Sequence, residues 1–110
     1  MDINVVEKSG IKIVSFIGEL DSTSAPETDK ALKALIEEGV IKILINFQDL
    51  EYISSAGLRI LLGAAKTLSA KGGGLKMCNL NEVVQEVFDI SGFSSIFSLF
   101  KTEEEAIQAF

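Results

Sequence analysis

The sequence predicts a single α/β domain: a mixed sheet of four to five strands with about four helices, in the order ββαβαβα(β)α. Three features carry this reading. Two β-branched runs, residues 3–7 and 11–17, flank a Ser9-Gly10 turn signal and read as a hairpin. Residues 40–47 (Val-Ile-Lys-Ile-Leu-Ile-Asn-Phe) form a nearly continuous apolar run, the mark of a central strand buried on both faces. Segments with helical periodicity separate this run from its neighbours, so the later strands are joined by parallel crossovers.

The elements follow in order. In the second strand of the hairpin, Ile11, Ile13, Ser15 and Ile17 share one face, and Lys12, Val14 and Phe16 the other, so both faces are expected to be covered in part. Gly18 to Ser24 is polar. Thr23 or Ser24 can cap a helix with Pro26 in its first turn and Glu27 at capping-box spacing from Ser24. Ala31, Leu32, Ala34, Leu35 and Ile36 supply the apolar stripe, and Gly39 ends the helix. After the central strand, residues 48–55 read as a loop. Leu58, Leu61, Leu62, Ala65 and Leu68 then mark a helix over 57–68, stopped by Lys71-Gly72-Gly73-Gly74. A short strand is expected over 75–80, with Cys78 buried in it. Asn81 caps a helix over 82–89, which Ser91-Gly92 breaks. Residues 93–100 are short and aromatic, and Phe88, Phe93, Phe97 and Phe100 read as core. Thr102 caps a last helix whose first turn carries Glu103, Glu104 and Glu105, where the helix dipole favours them.

Composition narrows the function. The 110 residues are 47% hydrophobic and 24% charged, enough for a real core. With no histidine, a Ser-His-Asp triad and a His-ligated metal are excluded; with one cysteine, so are an internal disulfide and a thiolate zinc site. An enzyme and a metal protein are therefore not expected. A net charge of −6 argues against nucleic acid and anionic membrane as partners. The start, Met1-Asp2-Ile3-Asn4, has neither a basic nor a long apolar stretch, and a cytoplasmic protein is expected. The Gly72–Gly74 run lacks the ending of a phosphate loop and precedes a strand.

One loop carries chemistry. Residues 46–59 join the central strand to the second helix, where α/β folds gather their ligands. Ser54 and Ser55 sit at the expected helix N-terminus. Either can act as an N-cap, worth about 1 kcal/mol. No adjacent His or Lys activates a nucleophile, so a serine hydrolase is not expected. A phosphoacceptor needs only exposure and an anion-tolerant site, which a helix N-terminus provides. Gly57, at a helix start where glycine is unfavourable, marks a close approach, either of the Gly18–Asp21 loop or of a docked protein. Its adjacency to the serines favours the docked protein.

The chain resembles a STAS domain of the bacterial anti-sigma factor antagonist type. The matching pieces are Gly18-Glu19-Leu20-Asp21, Asn46-Phe47-Gln48-Asp49-Leu50 running into Tyr52-Ile53-Ser54-Ser55-Ala56-Gly57-Leu58, Gly63, the Gly72–Gly74 turn, and Val87-Phe88-Asp89-Ile90-Ser91-Gly92-Phe93. They span the whole chain in order. The resemblance implies a binding module whose partner is both anti-sigma factor and serine kinase, with a phosphatase as the opposing activity. Unphosphorylated, such a module binds the kinase and frees the sigma factor; phosphorylated, it does not. The family's acceptor falls on Ser55. The family usually carries Asp immediately before it, where this chain has Ser54, a second candidate hydroxyl. The resemblance assigns Asp21, Ser22, Thr23, Ser54, Ala56, Gly57 and Arg59 to the partner surface, with turn and cap as the alternative roles of the first three. It makes Asp49 a structural brace of the loop. Arg59, one turn into the expected helix, is a candidate partner for a phosphate on Ser55. No cofactor is implied. Two other roles occur among STAS domains: an accessory subunit of an ABC-type lipid transporter, and a nucleotide-binding module, against which the lack of a basic cluster argues.

Overall fold

The computed structural model describes residues 1–110. Strands β1 (Asp2–Lys8) and β2 (Ile11–Leu20) form the opening hairpin, in register from Lys8 opposite Ile11 to Asp2 opposite Ile17. The two-residue turn places Ser9 and Gly10 at φ +56° and +78°, the double left-handed geometry that matches strand twist. Helix α1 (Ala25–Glu37) leads to β3 (Lys42–Asn46), then β4 (Leu50–Ile53), α2 (Ser55–Ala70), β5 (Gly74–Cys78), α3 (Glu82–Ser91), a single 3-10 turn (Phe93–Ser95), β6 (Ser98–Phe100) and α4 (Glu103–Gln108).

The sheet runs β1-β2-β3-β5-β6, antiparallel only in the hairpin. The expected α/β class and helix count are present. The sheet has six strands because Leu50–Ile53, expected as loop, forms β4. It pairs with the distal part of β2, from Gly18 opposite Leu50 to Leu20 opposite Ile53, with a register shift between Gly18 and Glu19. The first part of β2 pairs with β3 instead.

The core lies on both faces of this sheet. Val14, Phe16, Ile43, Ile45 and Met77 pack with Leu32 and Ile36 of α1, Leu58, Leu61 and Leu68 of α2, and Val84 and Phe88 of α3. Ile11, Ile13, Leu44 and Cys78 face the opposite way, under Ala106 of α4. The alternation of Ile43, Leu44 and Ile45 explains the unbroken apolar run: β3 is covered on both sides. Phe16, Phe47, Phe88 and Phe97 form a ladder with ring centroids 5.8–6.0 Å apart, and Phe93 closes it. Phe100 lies on the other face, near Lys76 and Phe110. Cys78 is buried as expected, and desolvation, aided by Glu103, pushes its thiol up to about 12.

The expected caps of α3 and α4 are in place: Asn81 Oδ1 accepts from the Val84 N–H at 2.8 Å, and Thr102 Oγ1 from the Glu105 N–H at 3.2 Å. Asn81 also donates through Nδ2 to the Leu50 carbonyl at 2.7 Å, so one side chain ties α3 to β4. Asn81→Ala is expected to cost about 1–2 kcal/mol, a cap and a cross-link together, read as a lower urea midpoint at unchanged slope.

Candidate functional site

The site is assembled where β2 and β4 end and α1 and α2 begin. The Ser54 N–H donates to the Leu20 carbonyl at 2.9 Å, locking the start of α2 to the end of β2. This brings the β2–α1 loop, Asp21 to Ser24, beside the residues that open α2. Within that loop Asp21 Oδ1 accepts from the N–H groups of Thr23 (2.9 Å) and Ser24 (3.1 Å). The backbone bonds from Ser24 and Thr23 hold the Asp21 carboxyl below its ordinary value. Ser24 occupies the N-cap position of α1 without capping it. Its hydroxyl donates instead to the Glu19 carbonyl at 2.8 Å and accepts from the Asp21 N–H at 3.1 Å, folding the loop on itself. Ser22 and Thr23 are exposed.

Helix α2 starts at Ser55, two residues earlier than the sequence suggests. Ser54 is its N-cap residue, in extended conformation, yet no side chain caps the helix. The expectation that one of the two serines caps through its hydroxyl is thus not met. Its first backbone bond runs from the Leu58 N–H to the Ser54 carbonyl at 3.0 Å, and its first turn carries no acidic residue. Such an end has donors and positive partial charge to offer an anion.

The two serines differ sharply. Ser55 is exposed, whereas Ser54 Oγ is buried and has no hydrogen-bond partner. Ala56 is half-buried, and Arg59, one turn further along, is exposed. The ion pairs of the molecule are Glu7–Lys12 and Asp29–Lys33, so Arg59 carries no intramolecular carboxylate. Ser22, Ala56 and Arg59 together border one end of a groove of about 800 Å³ between α1 and α2, floored by Ala25, Leu32, Ile36, Ile60 and Ala64.

Asp49 is exposed and its carboxylate makes no hydrogen bond; its backbone carbonyl accepts from the Gly18 N–H at 3.1 Å, so its link to the loop is through the main chain. One expectation needs correction. Gly57 is buried, and a Cβ there would lie 2.7 Å from Leu20 Cγ and 2.9 Å from Ile53 Cγ1. The close approach is internal, so no docked protein is needed to explain the glycine. Sequence reasoning also missed the cross-link from Asn81 to Leu50 and the groove. The cap reading of Asn81 was a signal for the first; nothing in the local sequence announces the second.

Residues 2–106 match the family described as the STAS domain. The Bordetella bronchiseptica protein BtrV, named as an anti-sigma factor antagonist, is 37% identical over 110 residues, covering 100% of this chain and 95% of that one. The anti-sigma-B factor antagonist of Bacillus subtilis is 36% identical, covering 98% of this chain and 100% of its own. Among solved structures, the anti-sigma factor antagonist SpoIIAA in its unphosphorylated form superposes with a TM-score of 0.81 at 27% identity, over 98% of this chain and 95% of that one. SpoIIAA has also been solved in a phosphorylated form. No helix of the present chain is long and apolar enough to cross a membrane. A match over nearly the full length, in sequence and in fold, places the chain in the STAS domain family.

Proposed function

We propose that the protein is a cytoplasmic anti-sigma factor antagonist switched off by phosphorylation at Ser55. The observation that carries this reading is the contrast between two adjacent, chemically identical hydroxyls: Ser55 is exposed on the first residue of a sixteen-residue helix, while Ser54 Oγ is buried. A kinase can reach the first and not the second. The names of the relatives supply the partner class, an anti-sigma factor. The family resemblance adds that this partner is also the kinase and that a phosphatase reverses the modification.

The physics of the switch follows. A phosphate adds about −1.5 to −2 charges. At an uncapped helix N-terminus it meets open N–H groups and the positive end of the dipole, so the fold tolerates it. Arg59, at i+4 from Ser55 and free of a carboxylate, offers a counter-charge from the same helix face. The effect is therefore exerted on the partner, through repulsion and desolvation at the surface formed by Asp21 to Thr23 with Ser55, Ala56 and Arg59.

The test is phosphosite mapping. The protein is used to capture its kinase from the native cell, and the pair is incubated with ATP. A single phosphate on Ser55 is the expected product. Modification of Ser54 alone, or of a residue outside this loop, overturns the assignment.

A further inference from the structure

The open edge of the sheet carries a pattern of its own. Strand β1 is paired on one side only, with β2, and six of its seven residues are exposed. They include Val5 at 43% and Val6 at 58% exposure, apolar side chains on opposite faces of the strand. The hairpin geometry settles which backbone groups are free. In a hairpin with a two-residue turn the flanking residues, here Lys8 and Ile11, exchange both hydrogen bonds. Alternation then directs the N–H and C=O groups of Lys8, Val6, Asn4 and Asp2 toward β2, and those of Glu7, Val5 and Ile3 outward.

We propose that this edge pairs with the same edge of a second copy, β1 antiparallel to β1 about a two-fold axis at Val5. Antiparallel self-pairing requires the outward-facing residues of one copy to oppose those of the other. The register centred on Val5 does this for Ile3 with Glu7 and Val5 with Val5, and it is the one register that uses all seven residues. It also sets Asp2 opposite Lys8, once on each side of the axis, because these two lie three residues either side of Val5. Both fall at non-hydrogen-bonded positions, where opposed Cα atoms approach to about 4.5 Å and side chains pair best. Charges on a sheet edge ordinarily guard against self-association. Here their order makes the edge complementary to itself. Registers centred on Asn4 or Val6 lose the charge pairing and leave two residues of each strand unpaired. The product is a continuous sheet across two copies, reversible because a single strand edge buries little area. The α2 N-terminus stays outside it, since β1 and β4 border β2 at different stretches of that strand.

Sedimentation velocity of the full chain, from micromolar to millimolar concentration, should show a monomer passing to a dimer. Asp2→Lys and Lys8→Asp each place like charges opposite one another at two symmetric positions, and each should weaken self-association at least about tenfold. Both sites are exposed, so circular dichroism melts should match the parent. Mixed in equal amounts, the two variants should dimerise again, because each introduced charge then faces its opposite. A parent that stays monomeric at millimolar concentration overturns the proposal. So do single variants that dimerise like the parent, and mixtures that remain monomeric.

Discussion

Gly57→Val should lower the stability of the protein by about 3 kcal/mol, the upper end of what overpacking costs, and its melting midpoint by about 10 °C or more. The first added carbon alone would sit 2.7 Å from Leu20 Cγ and 2.9 Å from Ile53 Cγ1, and both neighbours are fully buried. Neither can swing away as a long surface side chain would. They are the paired residues that close the β2–β4 ladder, and the Leu20 carbonyl holds the start of α2. The strain thus falls on the joint between sheet and helix, and the two further methyl groups of valine add to it. A thermal melt followed by circular dichroism measures the effect. A variant that melts with the parent would mean that the α2 start shifts freely against β2, against the packing described above.

Ser55→Asp should abolish binding to the anti-sigma partner, while Ser55→Ala should bind like the parent. Alanine removes a hydroxyl that caps nothing and is exposed, so neither fold nor interface loses a bond. Aspartate puts a permanent charge at the helix end, where the fold accepts it and, on the proposed reading, the partner surface does not. A loss of about 3 kcal/mol weakens binding more than a hundredfold. Titration calorimetry with the anti-sigma partner reads both variants, and equal affinities would place Ser55 outside the interface. Melting curves of the two should lie close to the parent, which separates this effect from the structural one at Gly57.

Much of this fold was legible because its signals are local. The hairpin turn needs two residues with positive φ, and Ser9-Gly10 supplies them. The helices carry 3.6-residue periodicity, and α3 and α4 begin at residues whose side chains cap them. Strand β4 was not legible for an equally physical reason. Its four residues point in, out, out, in, which is not the two-residue period of a half-buried strand. The register shift opposite it in β2 shows that the pairing is irregular. At the site, the position of the proposed acceptor follows from motif resemblance, but the difference in burial between Ser54 and Ser55 does not. That difference depends on where the helix starts, and the start is set by a hydrogen bond to Leu20, far away along the chain. The close approach at Gly57 is hidden for the same reason: the nearer of the two side chains that forbid a larger residue, Leu20, belongs to a distant strand. Asp49 acts through its backbone, which no side-chain pattern reveals.

The partner change along β2 has a mechanical consequence. A single strand pairs with β3 over residues 12–15 and, across the register shift between Gly18 and Glu19, with β4 over residues 18–20, and its last carbonyl fastens α2. The candidate site is therefore an outgrowth of the strand that pairs with β1, β3 and β4, with no intervening loop. Amide exchange at Leu20, Ile53 and Leu58 should be as slow as in β3, as in a single cooperative unit. On the proposed reading, a scaffold of this kind reports a chemical mark by surface charge alone: it is a signal flag on a rigid mast.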